Sequence, residues 1–92
     1  MEMKESFRNE HFKVLEVSLN VDESMPLHEA SSDAYVINRQ GKGRLIFSNR
    51  EVIISQGESV LIKAREPHRL EILEDFRSSV ILKPDAEIEF VH

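Results

Sequence analysis

The stretch Arg44-Leu45-Ile46-Phe47-Ser48-Asn49-Arg50-Glu51-Val52-Ile53-Ile54 holds two β-rich runs on either side of a short polar segment. Branched aliphatic and aromatic residues favour strands, because they pack well on a pleated surface. Asn49 lies where a tight turn is needed, and asparagine tolerates the left-handed backbone of such turns. The stretch therefore predicts a β-hairpin with strands at residues 44–47 and 51–54.

Short strand-forming runs separated by turn residues also occur on both sides of this hairpin. Downstream, the run 60–62 follows Gln56-Gly57-Glu58, a turn in which Gly57 is free to take a positive φ. Upstream, residues 12–21 alternate, with Leu15, Val17, Leu19 and Val21 on one face, and the short apolar run 34–37 predicts a strand buried on both faces. Further strands are predicted at 69–72, 78–82 and 87–91.

About eight or nine short strands separated by turns predict an all-β sandwich or barrel. Only residues 1–10 could hold a helical turn. With 92 residues, the chain is interpreted as a single domain near the lower size limit for a self-sufficient core. We therefore expect a homodimer, with the predicted strands 12–21 and 87–91 as the sheet edges that a partner would cover.

Composition excludes several classes of function. The chain has no cysteine, which rules out disulfides, thiolate metal sites and cysteine nucleophiles. Its formal charge of −5 disfavours a nucleic-acid partner, which would require a basic surface. There is no long apolar run for a membrane span, and the first residues lack the apolar core of a signal peptide, so a cytoplasmic protein is the expectation.

Histidine and glycine spacings resemble those of small cupins, the RmlC-like jelly-roll proteins. Cupins carry the motifs G-x5-H-x-H-x3-E-x6-G and G-x5-P-x-G-x2-H-x3-N. Gly41 lies thirteen residues after His28, the interval of the first motif, and His68 lies eleven residues after Gly57, the interval of the second. Motif one would cover about residues 25–43 and motif two about residues 57–72. The resemblance implies a cupin-type double-stranded β-helix (jelly-roll barrel) spanning residues 1–92.

The resemblance also implies a site that has lost part of its usual metal ligands, three histidines and one glutamate. Only His28 and His68 stand at ligand positions. The remaining motif positions hold Ala30, Ala34, Lys63, Arg65 and Ile72. A shift of one residue would bring Asp33 to the place of the glutamate, giving a three-ligand site of His28, Asp33 and His68 for a divalent metal such as Ni, Zn, Mn or Fe. The alternative, which we favour, is that both histidines face a cavity without a metal and that Asp33 caps a turn.

Three functions follow as hypotheses. The first is binding of a small molecule in the barrel, without catalysis, by His28, Tyr35 and His68. The second is a metal-dependent enzyme (a dioxygenase, isomerase or lyase) with the reduced ligand set, and the third is a dimeric interaction or regulatory module. His11 and His92 are expected to be solvated side chains.

Overall fold

The computed structural model describes residues 1–91, so His92 lies outside the described residues. These residues form eight antiparallel strands of one curled sheet, which confirms the all-β prediction. The strands are β1 (Glu2–Arg8), β2 (Lys13–Leu19), β3 (Ser24–Ala30), β4 (Ala34–Phe47), β5 (Glu51–Ile54), β6 (Ser59–Ile62), β7 (His68–Leu82) and β8 (Ile88–Phe90). No helix long and apolar enough to span a membrane occurs among the described residues.

Strand β7 organises the sheet, because it has neighbours along both of its edges. On one side it pairs with β3 near His68 and with β2 from Phe76 to Leu82, and on the other side it pairs with β4. Strand β4 in turn pairs with β6 through its first half and with β5 through its second half. The two long strands β4 and β7 thus pair with most of the short strands and join them into one curled sheet.

Strands β4 and β7 are each continuous where the sequence predicted two shorter strands. The sequence analysis separated strands 34–37 and 44–47 and also strands 69–72 and 78–82, and both separations were wrong. Instead, the pairing of β4 with β7 shifts register three times between Asn38 and Gly43, so the strands bend without ending. Gly41 has a φ of +81°, and a Cβ there would collide with the backbone carbonyl of Asp75. Glycine is needed at this bend for both reasons.

The N-terminal segment is a strand and not a helical turn. β1 pairs with β2 inside the same chain, so the predicted strand 12–21 is not a sheet edge. All seven residues of β1 are exposed, which explains why the segment shows no alternation of apolar and polar residues. Strand β3 was also missed as a strand. Strand β8 does lie at an edge, paired only with β3.

Side-chain alternation places the core inside the barrel. Val17 and Leu19 are buried on the predicted face, and Leu15 is partly buried against a second cluster of Ala34, Leu82 and Ala86. The prediction for Val21 on the same face was wrong, because Val21 follows the end of β2 and its side chain is 58% exposed. The run 34–37, however, is not buried on both faces, because the side chain of Tyr35 is 42% exposed. The buried apolar cluster consists of Val17, Leu19, Met25, Val36, Leu45, Phe47, Ile54, Ile62, Leu70, Ile72 and Phe76.

Both turns near the predicted hairpin are present. Strands β4 and β5 pair from Gly43 with Ile54 to Ile46 with Glu51, and the Phe47 amide donates to the Arg50 carbonyl at 2.8 Å. Asn49 does not take the left-handed conformation, since Arg65 is the one non-glycine residue with positive φ among residues 1–91. Gly57 has a φ of +85°, as predicted.

Candidate functional site: a cavity inside the barrel

A cavity of about 70 Å³ lies inside the barrel, and each of the eight strands contributes at least one side chain to its wall. The wall is apolar except at three residues, His28, His68 and Ser78. No aspartate, glutamate, lysine or arginine of the described chain lines it. The sequence prediction that both histidines share one cavity is confirmed.

The register of the sheet brings the two histidines together. His28 on β3 pairs directly with His68 on β7. His28 also pairs with Phe90 on β8, and His68 pairs with Phe47 on β4, so four aromatic side chains form one row across four strands. Successive ring centroids are 5.9, 4.1 and 5.6 Å apart, with the shortest distance between the two imidazoles in an edge-to-face arrangement. Such contacts are ordinary for aromatic rings and hold both imidazoles in place.

Backbone carbonyls fix the orientation and tautomer of both imidazoles. The Nδ1 of His28 lies 2.7 Å from the Pro26 carbonyl oxygen, and the Nδ1 of His68 lies 2.8 Å from the Glu66 carbonyl oxygen. A carbonyl oxygen can only accept a hydrogen bond, so each Nδ1 must carry the proton. In the neutral ring, each Nε2 is then left with an unprotonated lone pair.

Burial keeps both rings neutral. Only 6% of His28 and 5% of His68 is exposed. Burial lowers the pKa of His28 to about 4, against a smaller opposing effect of the Pro26 carbonyl, and proximity to His68 lowers it further. Burial also lowers the pKa of His68, although the carbonyl and the carboxylate of Glu66 both act in the opposite direction. Near neutral pH the cavity therefore presents two uncharged imidazoles.

The third polar residue of the wall is held by the protein itself. Ser78 is fully buried, and its hydroxyl donates to the Oδ1 of Asn38 at 3.1 Å. The Asn38 Nδ2 donates in turn to the Gly41 carbonyl at 2.8 Å. With its proton used in this way, the Ser78 hydroxyl has only lone pairs to offer to the cavity.

Several solved structures share the overall fold of this chain. An RmlC-like cupin family protein with a double-stranded β-helix fold from Methanocaldococcus jannaschii aligns with a TM-score of 0.80 at 17% identity, over 90% of this chain and 79% of its own. A conserved protein with a double-stranded β-helix domain from Klebsiella pneumoniae aligns with a TM-score of 0.85 at 10% identity, over 99% of this chain and 84% of its own. The chain has the cupin fold. No family model and no curated protein matches the sequence.

Another structure with a similar fold is an enzyme. The DMSP lyase of Ruegeria pomeroyi aligns with a TM-score of 0.81 at 13% identity, over 90% of this chain but only 44% of the lyase. At such identities the likeness shows the fold and not the activity.

Two of the predicted site residues lie away from the histidines. Asp33 is exposed on the loop after β3, where its Oδ1 accepts from the Ala64 amide at 2.8 Å. The aspartate therefore ties two loops together, and its proposed place in the metal site was wrong. Tyr35 points outward from the barrel, where its hydroxyl lies 2.7 Å from the Ser59 Oγ, so its predicted place in the lumen was wrong as well.

The described residues offer a divalent metal only two side-chain ligands inside the barrel. No group of three or more histidine, cysteine, aspartate or glutamate side chains is close enough to hold a metal within residues 1–91. The two imidazoles could supply two nitrogen ligands, but the surrounding wall is apolar and has no carboxylate. A divalent ion there would be left with an uncompensated charge in an apolar cavity, which is strongly unfavourable.

Sequence reasoning missed the residues that support the histidine pair. Phe47 lies beside His68, and the guanidinium of Arg50 lies 3.9 Å above the Phe47 ring. Arg50 also forms a two-pronged ion pair with Glu66, at 2.7 and 3.2 Å, and the Glu66 carbonyl orients His68. The hairpin prediction already placed Arg50 in the turn after Phe47, but only the register of β4 with β7 shows that this turn lies next to His68.

Proposed function

We propose that this cupin binds a small, largely apolar molecule inside its barrel without transforming it. The observation that carries the proposal is the combination of an internal apolar cavity and two buried imidazoles on its wall. A mostly apolar pocket with a few convergent polar groups is the usual form of a small-molecule site. The same polar groups in a site built only for stability would be bonded within the protein.

The size of the cavity limits the ligand. A volume of about 70 Å³ is well below the several hundred Å³ of pockets that take drug-sized compounds. It is also smaller than the engineered cavity of roughly 150 Å³ that takes up benzene. The barrel as it stands therefore suits a molecule smaller than benzene, and a five-membered ring is a suitable upper limit to test.

The residues that line the cavity are better suited to binding a ligand than to catalysing a reaction. It has no carboxylate to act as a general acid or base, and the hydroxyl proton of Ser78 is already used by Asn38. Neither imidazole is hydrogen-bonded to a side chain that could act as a nucleophile, the arrangement found in catalytic triads.

Titration with furan, a five-atom apolar ring, tests the proposal. We expect the ¹³C-methyl resonances of the wall residues Val36, Leu45 and Ile54 to shift in a saturable way. The methyl groups of Ile53 and Leu61, which are exposed outside the barrel, should not move. If the wall resonances stay unchanged up to the solubility limit of furan, the barrel does not take ligands of this size and the proposal fails.

A matched pair of variants locates the binding. Ala34→Leu adds bulk to the cavity wall, whereas Ala64→Leu adds the same bulk at an exposed loop position. We expect the first variant to abolish the furan shifts and the second to keep them. Overpacking at Ala34 costs about 1–3 kcal/mol, so the fold of that variant must be checked by its amide spectrum.

A metal-dependent enzyme is the alternative, and the paired imidazoles are the observation in its favour. It is tested by a thermal-shift scan of Ni, Zn, Mn and Fe ions on tag-free protein. A stabilisation of several degrees that disappears in both His28→Phe and His68→Phe would favour this alternative. A stabilisation that survives both changes would come from binding elsewhere.

The expected homodimer remains a prediction. The outer face of the barrel carries an apolar row on which to look for it: Phe7, Val14, Ile81, Tyr35 and Leu61 follow one another across five strands. Sedimentation velocity at high micromolar concentration distinguishes dimer from monomer. Changing Phe7 and Leu61 to serine tests whether this face is responsible.

A further inference from the structure

We infer that the cavity selects ligands that carry a neutral hydrogen-bond donor, an O–H or N–H group on a small apolar frame. This inference rests on the proposed function and adds the chemical class of the ligand. It follows from the hydrogen-bonding state of every polar group on the cavity wall.

Both imidazoles present acceptors to the cavity. Each Nδ1 uses its proton on a backbone carbonyl, so each Nε2 carries a lone pair. No enclosed side-chain nitrogen or oxygen of the described chain lacks a hydrogen-bond partner. Neither Nε2 has a hydrogen-bond partner among the described residues, and both rings line the cavity, so we take each lone pair to face it.

The rest of the wall supplies no donor. Ser78 gives its proton to Asn38, and the other fifteen lining residues are apolar. A ligand that can only accept hydrogen bonds would leave both imidazole nitrogens unpaired, at the cost of a buried, unsatisfied polar group. A ligand with a donor restores the hydrogen bond that water would otherwise make.

Charged ligands are disfavoured by the same wall. A carboxylate or phosphate would find no cation and no donor, and an ammonium would find no carboxylate. The acceptors therefore favour alcohols, phenol-like hydroxyls and pyrrole-like N–H groups over ions.

Pyrrole and furan make a matched pair for the test, since both are five-membered rings and only pyrrole has an N–H donor. We expect pyrrole to bind about three- to tenfold more tightly than furan, the ratio that one net hydrogen bond provides. The imidazole ¹⁵N resonances should respond to pyrrole and not to furan, because only pyrrole donates to Nε2. This readout uses the unmodified protein, so it does not depend on a variant that folds.

Variants then assign the acceptor. His28→Phe with His68→Phe keeps two aromatic rings and removes both lone pairs, so the preference for pyrrole should disappear while furan still binds. His11→Phe, a change at an exposed histidine, should keep the preference.

The outcomes separate the two claims. Equal affinities for pyrrole and furan overturn the donor selectivity and leave binding in the barrel intact. A preference for pyrrole that persists in the double variant also overturns the assignment to the histidines. Failure of both rings to bind overturns the proposed function itself.

Discussion

Two polar pairs lie inside the same barrel and differ in how their hydrogen bonds are used. Asn38 and Ser78 are both completely buried, and the protein supplies partners for the asparagine oxygen, the asparagine nitrogen and the serine proton. His28 and His68 are almost as deeply buried, but each has a protein partner only at Nδ1. The first pair holds the bend of β4 against β7, whereas the second leaves two acceptors open to the cavity.

The difference indicates which buried polar groups serve stability and which serve binding. A buried polar group with all its bonds made inside the protein contributes to a unique structure. A buried group with an open lone pair costs stability unless a ligand or water satisfies it. The comparison can be tested by changing the two pairs separately.

The largest effect is expected at the glycine that receives the Asn38 bond. Gly41→Ala places a methyl group against the Asp75 backbone at a positive φ, so we expect a loss of at least about 3 kcal/mol of unfolding free energy, or no folding. Gly57→Ala is the control, because its φ is also positive but the added Cβ would touch nothing. We expect Gly57→Ala to lower the unfolding free energy by only about 1 kcal/mol. Urea denaturation measures both, and equal losses would show that the close approach at Asp75 is unimportant.

The next effect is expected at the amide itself. Asn38→Leu leaves the Ser78 hydroxyl and the Gly41 carbonyl without their partner, and we expect a loss of about 2–4 kcal/mol. Ser78→Ala removes only the hydrogen bond between Ser78 and Asn38, and it should lower the unfolding free energy by about 1–2 kcal/mol. Urea denaturation measures both losses of unfolding free energy. Equal losses in the two variants would show that the amide of Asn38 contributes no more than its single bond with Ser78.

The histidine pair should make stability depend on pH. The pKa of His28 is about 4 in the folded protein and about 6.5 in the unfolded chain, so the unfolded state binds the proton first as pH falls. The contribution of the neutral His28 ring to the unfolding free energy is therefore fully present above pH 6.5 and is lost between pH 6.5 and 4. From His28 alone we expect about 2 kcal/mol less stability at pH 5 than at pH 8.

Urea denaturation at pH 5 and pH 8 measures this difference. His28→Phe should reduce the pH dependence, whereas Ala64→Leu, a change at an exposed loop position, should leave it unchanged. Equal pH dependence in the wild type and His28→Phe would mean that the ring is already solvated in the folded state.

The sequence predicted the fold better than the site. Period-two alternation and turn residues show strands directly, and the spacing of His28, Gly41, Gly57 and His68 indicated the cupin topology. The bends were misread, because Gly41 and Glu74-Asp75 look like turn residues whether a strand ends there or only changes register. The histidine pair was predictable, since the resemblance to the cupin motifs implied that both side chains face one lumen.

The roles of Asp33 and Tyr35 were not predictable, because they depend on which face of β4 points inward. A single-residue change of register exchanges the two faces, and local sequence does not fix it. The structure places Ala34 and Val36 inside the barrel and Tyr35 outside.

The smallest effect is therefore expected at Tyr35. Tyr35→Phe removes one exposed hydroxyl whose partner, Ser59, is free to bond with water, so stability should change by no more than about 0.5 kcal/mol. The affinities for furan and pyrrole should not change, since the side chain does not reach the cavity. His68→Phe provides the contrast, because it alters a wall residue by a change of similar size. A fall in the pyrrole preference in Tyr35→Phe equal to that in His68→Phe would mean that β4 presents its other face to the cavity. The contrast between the two polar pairs would then no longer hold.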